Sequence, residues 1–199
     1  MVRDEAVSGA LVAAVVIGSF VVYIAVAQLA RSRGIRARGR TTDRAIGFAQ
    51  SSPVFVFVPY LIVLLRPGPE LPFADAVRWV GLTLAIAGVV FALWAMRTLG
   101  RHFDVELEVH EGHEVIERGP YALVRHPIYT GLALHFIGAC LATGNLLLIA
   151  GTLGASFPAF YLRAAAEERL LSVRLGPAYA AYARRVPMLM PFLKIPHSD

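Results

Sequence analysis

The chain has 199 residues, 57% of them hydrophobic and only 17% charged, with a formal net charge of +5. Soluble domains carry about 25% charge, so this balance and a mean hydropathy of +0.60 point to lipid as the main solvent and against a soluble globular class. Cys140 is the single cysteine, which excludes an internal disulfide, and the length suits one domain, residues 1–199, without repeats or low-complexity linkers.

Residues 6–30 carry no charge, and about 20 apolar residues suffice to span the hydrocarbon layer. A signal-peptide core is shorter and follows a positive segment. Here Arg3 is offset by Asp4 and Glu5 and the run ends in an arginine cluster, so a retained first helix is expected. Residues 45–65 form a second uncharged run, bent or interrupted by Pro53 and Pro59. Pro67, Gly68, Pro69 and Pro72 then mark a turn. A third run, 79–96, begins near Trp79 and closes near Trp94, as an aromatic belt at each interface would.

Residues 128–162 contain no Asp, Glu, Lys or Arg. As one helix they would reach about 52 Å, more than a bilayer needs. Gly144-Asn145 is a turn dipeptide, so a C-terminal helical hairpin is expected there. A helical, partly amphipathic tail follows over 163–185, interrupted at Gly176-Pro177. The expected fold is thus an all-α integral membrane protein of about five transmembrane helices.

Arginines cluster after helices one, three and five, leaving only Arg3, Arg66 and Arg78 for the other side. The positive-inside rule then puts the N-terminus outside and the C-terminus in the cytosol. The cluster from Arg31 to Arg44 is explained as a topology anchor that attracts anionic membrane lipids, and no nucleic-acid partner is expected.

Chemistry-capable residues gather in the cytosolic segment 97–127. Alternation of Val105, Leu107 and Val109 with Asp104, Glu106, Glu108 and His110 predicts a short strand, and residues 113–116 a second extended piece. Gly119-Pro120-Tyr121 makes a turn, and Pro127 suits a helix start. His110 and His113 beside Glu111 and Glu114 lack any HExxH or CxxC spacing, so no metal is expected. GxGxxG and GxSxG motifs are absent as well.

A two-part pattern stands out. The first part is GHEVIERGPY at 112–121 followed by RHPIYTG at 125–131; the second is EERLL at 167–171 with Gly176, Tyr179, Tyr182, Val186, Pro187 and Pro191. Over about residues 97–193 this resembles the isoprenylcysteine carboxyl methyltransferase family, related to phospholipid N-methyltransferases. The resemblance implies S-adenosyl-L-methionine as methyl donor, held in a cytosolic pocket by His113, Val115, Ile116, Tyr121 and either Glu167 or Glu168. It further implies that Arg163 meets the carboxylate of the acceptor. Glu114, where the family often has leucine, adds a charge near the adenine contacts.

The chemistry of the side chains agrees. The glutamate pair can accept from the donor's ammonium or hydroxyls, and Arg125 and His126 can meet its carboxylate. Tyr121, Tyr129, Tyr179 and Tyr182 offer faces to a sulfonium, and Gly119 shapes the same turn. Arg163 and His126 are the catalytic candidates. The expected acceptor is a lipid-like or lipidated molecule entering from the bilayer, foremost the carboxylate of an isoprenylcysteine. A phospholipid, amine or thiol acceptor is the alternative, with His126 or a glutamate as base. An NADPH-dependent sterol or enone reductase is the rival activity, disfavoured by the EERLL sequence.

Overall fold

The computed structural model describes residues 8–33, 60, 68–100 and 115–191, and among these it is helical throughout apart from loops and an isolated bridge between Glu70 and Asn145. Helix α1 spans Gly9–Arg33 and α2 spans Asp75–Leu99. A short 3-10 turn, Gly119–Ala122, precedes α3, Pro127–Thr143. Helix α4, Leu146–Gly151, passes through a π-helical turn, Thr152–Ser156, into α5, Phe157–Arg185.

Among the described residues three helices are long and apolar enough to cross a membrane: Gly9–Leu29, Asp75–Leu99 and the stretch Leu146–Arg185; Pro127–Thr143 is apolar but shorter. The expected helix over 45–65 lies outside the described residues except at Tyr60, which is helical and buried. The expected strand at 104–110 lies outside them too.

Helix α1 buries Val12, Val16, Phe20, Tyr23 and Ala27, positions three and four apart that share one face. Val21, Val22, Val26 and Leu29 remain exposed. A helix apolar on both its packed and its open face belongs in lipid.

Small residues bring α2 and α3 together. A Cβ on Gly88 would lie 2.5 Å from the Gly131 carbonyl oxygen, and one on Gly138 would meet the Ala85 amide nitrogen and lie 2.5 Å from Gly81 O. In lipid, where apolar side chains gain little from leaving their solvent, this close backbone approach supplies the attraction. Gly138→Leu should therefore lower the melting temperature in detergent through an overpacking cost of about 1–3 kcal/mol. Gly151→Ala, where a Cβ meets nothing within 4 Å, is the control and should melt at or slightly above wild type.

The hairpin forms where Gly144-Asn145 placed it. Gly144 takes φ 66°, ψ 4° and its N–H reaches Cys140 O, closing α3; the Asn145 side chain accepts from the Leu147 and Leu148 amides, opening α4. The loop before α2 packs onto this turn through Leu71 N–H to Gly144 O (2.8 Å) and Leu146 N–H to Pro69 O (2.9 Å).

Beyond the turn the structure refines the expectation. The second arm does not stop at residue 162 but runs on as a helix to Gly176, whose non-helical φ 54°, ψ −130° interrupts it at the expected Gly176-Pro177 position before a further helical stretch to Arg185. That conformation is open to glycine and costly for other residues. The π-turn was not foreseen; Pro158 lacks the N–H that would bond Gly154 O and crowds that carbonyl, which accounts for the widened turn.

A buried aromatic cluster fills the bundle: Phe20, Tyr60, His135, Phe136 and Phe160. His135 is fully buried, its Nδ1 3.1 Å from Ala85 O and its Nε2 2.9 Å from the Tyr60 hydroxyl. Since a carbonyl only accepts, Nδ1–H donates and Nε2 accepts from Tyr60. The neutral ring thus ties three segments together.

Candidate functional site

At the end opposite the Gly144 turn, the start of α3 meets the extended segment that follows α5. The Arg125 amide donates to Pro187 O (2.9 Å) and the His126 amide to Met188 O (3.0 Å). The Thr130 hydroxyl donates to Leu189 O (2.7 Å). These bonds explain the sequence economy of the two motifs: RHPIYTG and the valine-proline tail lie side by side.

Arg125 is buried beneath this junction. Its Nε and Nη2 donate to the two oxygens of Glu168 at 2.8 and 2.9 Å. Nη1 donates to Ala183 O (2.9 Å) and Val186 O (2.5 Å). Four of the five guanidinium N–H groups are thereby committed to the protein. Glu168 Oε1 also accepts from the Tyr179 hydroxyl at 2.7 Å and lies 2.7 Å from His126 Nε2. The kink at Gly176 turns the chain so that Tyr179 can make this contact and Tyr182 can donate to Tyr121 O (2.7 Å).

Glu167 faces a different set of groups. Its Oε1 accepts from the Tyr129 hydroxyl, and its Oε2 lies 3.3 Å from His126 Nδ1. Tyr129 in turn accepts from Arg163 Nε at 2.7 Å, while Arg163 Nε stands 3.6 Å from Glu167 Oε1. The Glu167 side chain is 25% exposed against 14% for Glu168, so Glu167 is the glutamate more open to a ligand. Arg163 itself is only 6% exposed.

His126 sits between both carboxylates. Burial alone lowers the pKa of its imidazole, but the hydrogen bonds to Glu167 and Glu168 and their charges outweigh that and raise it above the ordinary histidine value. Both ring nitrogens then act as donors, as in the imidazolium.

Of the residues predicted from sequence, the structure brings together Arg125, His126, Tyr129, Arg163, Glu167 and Glu168. Tyr121 is joined to them through Tyr182, and Val115 packs on the Tyr179–Tyr182–Val186 cluster. Ile116 is half-buried in the same segment, and Gly119 adopts φ 60° beside Thr98. His113 lies outside the described residues. Sequence reasoning did not single out Tyr23, a buried residue of α1 within electrostatic reach of both Arg163 and Glu167. An aromatic residue inside an uncharged apolar run gives no signal that distinguishes it from lipid-facing packing.

The model of the Isoprenylcysteine carboxyl methyltransferase (ICMT) family matches residues 79–173. A probable protein-S-isoprenylcysteine O-methyltransferase of Oryza sativa subsp. indica is 32% identical over 128 residues, covering 63% of this chain and 67% of that protein. Protein-S-isoprenylcysteine O-methyltransferase B of Arabidopsis thaliana is 30% identical over 141 residues, covering 67% and 72%. The solved eukaryotic intramembrane Ras methyltransferase ICMT superposes with a TM-score of 0.59 over 96% of this chain and 70% of its own, at 23% identity. That last likeness carries the fold. The protein is a membrane enzyme of the methyltransferase class, helical in its described residues. The chain belongs to the isoprenylcysteine carboxyl methyltransferase family, as its RHPIYTG and EERLL motifs led one to expect.

Proposed function

We propose that this protein methylates the carboxylate of a lipidated cysteine, using S-adenosyl-L-methionine, at the cytosolic face of the membrane. The observation that carries this reading is the buried guanidinium of Arg163, held by Tyr129 beside Glu167 where the apolar part of α5 gives way to its polar part. A lipidated acceptor arriving from the bilayer presents its carboxylate at that boundary, and a guanidinium is shaped to hold it with two parallel bonds. The named activity of the rice and Arabidopsis relatives supports the same acceptor.

The residues present suit the methyl donor. Glu167 keeps exposed carboxylate surface for an ammonium or ribose hydroxyl, while Glu168 is committed to Arg125, His126 and Tyr179. Gly119 and Tyr121 belong to the short turn before α3, and Val115 and Ile116 lead into it. When bound, S-adenosylmethionine supplies a methyl group already activated on a sulfonium. Arg163 then orients the acceptor carboxylate, and the surrounding aromatic side chains of Tyr129 and Phe160 limit water, so positioning does most of the catalytic work.

His126 favours a carboxylate acceptor over an amine. Bonded to two carboxylates, it holds its proton firmly, the reverse of what a general base for an ammonium must do. A carboxylate nucleophile is ionised at neutral pH and needs no base.

The arginine distribution supports an N-terminus outside and a C-terminus in the cytosol: Arg97, Arg118, Arg125, Arg184 and Arg185 all belong to the end that carries the site. The test is calorimetry on the detergent-solubilised protein with S-adenosylmethionine and with NADPH, followed by methyl transfer to an N-acylated, S-prenylated cysteine. Saturable binding of S-adenosylmethionine alone and transfer to the free carboxylate are expected. Binding of NADPH alone, or transfer confined to amine acceptors, would overturn the reading.

A further inference from the structure

Tyr129 lies between the two charged residues that α5 presents one turn apart. Its ring packs against those of His126 (5.9 Å between centroids, 27°) and Phe160 (6.2 Å, 20°). Its hydroxyl is directed both ways, accepting from Arg163 Nε at 2.7 Å and donating to Glu167 Oε1. Arg163 Nε and Glu167 Oε1 form an i,i+4 ion pair at 3.6 Å, longer than the direct hydrogen bond that residues so spaced on a helix can make.

We infer that Tyr129 is the positioning residue of the acceptor site: its hydroxyl is a spacer that keeps Arg163 from collapsing onto Glu167 and so sets the preference for a carboxylate acceptor. The inference rests on the reading that Arg163 meets that carboxylate. Both bonds of the hydroxyl go to charged partners, the stronger kind of hydrogen bond. The ring's contacts with His126 and Phe160 help to fix where the hydroxyl stands. Without the hydroxyl, Arg163 and Glu167 can tighten this ion pair into a direct hydrogen bond. An arriving carboxylate must then compete with Glu167 for the guanidinium. A neutral ligand loses nothing by this closure, so the consequence is selective for charge.

The experiment uses the full chain in detergent and two probes, an S-prenylated, N-acylated cysteine and its methyl ester. Dissociation constants for both, and for S-adenosylmethionine, are measured by calorimetry on wild type, Tyr129→Phe and Arg163→Ala. Wild type should bind the acid more tightly than the ester. Tyr129→Phe, which keeps the ring, should lose about tenfold or more of that preference, with ester affinity within about threefold of wild type and a weaker S-adenosylmethionine affinity, because Glu167 is then bonded to Arg163. Arg163→Ala should abolish the preference. If Arg163→Ala keeps it, the acceptor reading itself fails. If Arg163→Ala loses it and Tyr129→Phe does not, the spacer role is refuted while the acceptor reading stands. Equal weakening of acid and ester in Tyr129→Phe would reduce the residue to packing, and an unchanged S-adenosylmethionine affinity would show that Arg163 does not close onto Glu167; either overturns the inference.

Discussion

Arg163→Ala is expected to cut turnover of a carboxylate acceptor by roughly 30- to 5,000-fold while S-adenosylmethionine binding stays within a few-fold of wild type. The range follows from the cost of truncating one partner of a buried, hydrogen-bonded charge pair, about 2–5 kcal/mol, converted at about 1.4 kcal/mol per factor of ten. Arg163 qualifies because it is 6% exposed and bonded through Nε to Tyr129. An exposed pair with Glu167 would be worth only about 0.3–0.5 kcal/mol, and its loss would leave turnover nearly intact. Glu167 does not depend on Arg163 alone, since Tyr129 and His126 also reach it, so cofactor binding should survive the change. Arg163→Lys should restore part of the turnover, because a point charge attracts the carboxylate but does not reproduce the planar fork. Steady-state assays with a prenylated cysteine acid, beside calorimetry for the donor, decide the matter. Near-normal turnover in the alanine variant would remove Arg163 from the acceptor site, and equal loss of donor and acceptor binding would recast it as a support for Glu167.

Helical architecture was legible because lipid imposes long uncharged runs and because turn residues interrupt them. Gly144 and Asn145 each have a stereochemical reason to stop and restart a helix, and both do so. Pro127 sits in the first turn of α3, where its missing N–H is harmless. The length of α5 was less legible. Composition changes at Arg163, but backbone hydrogen bonding runs on regardless to the kink at Gly176. Within the site, the two-part motif and the family resemblance it carries named which side chains assemble, yet not how they divide the work. Glu167 and Glu168 are adjacent and alike in sequence; helical rotation of about 100° per residue sends them to different neighbours. Only the partners distinguish them: Arg125 and Tyr179 for one, Tyr129 and Arg163 for the other. Tyr23 shows the same limit from the other side, since long-range contacts leave no local pattern.

That division leads to the second large effect. Glu168→Gln and Arg125→Ala should destabilise the protein, whereas Glu167→Gln should fold normally and bind S-adenosylmethionine more weakly. Glu168 receives two bonds from Arg125, one from Tyr179 and a close contact from His126, and Arg125 also holds two carbonyls of the chain after α5. Removing one member strands the others as buried polar groups. Breaking such a pair costs about 3–5 kcal/mol, which for a chain of this size corresponds to a fall in melting temperature of roughly 6–20 °C. Arg125→Lys should rescue little, because a single ammonium with three donors cannot serve both Glu168 oxygens and two separate carbonyls. Glu167→Gln keeps an acceptor for Tyr129 but removes the charge that an ammonium or hydroxyl would meet. The loss of a hydrogen bond to a charged group is worth about 1.5–3 kcal/mol, or roughly 10- to 150-fold in donor affinity. Thermal unfolding followed by near-UV circular dichroism, with calorimetry on the variants that remain folded, separates the two roles. If Glu168→Gln melts as wild type and it alone loses S-adenosylmethionine, the assignments of the two glutamates are exchanged, and Arg125 becomes a support for the donor rather than for the fold.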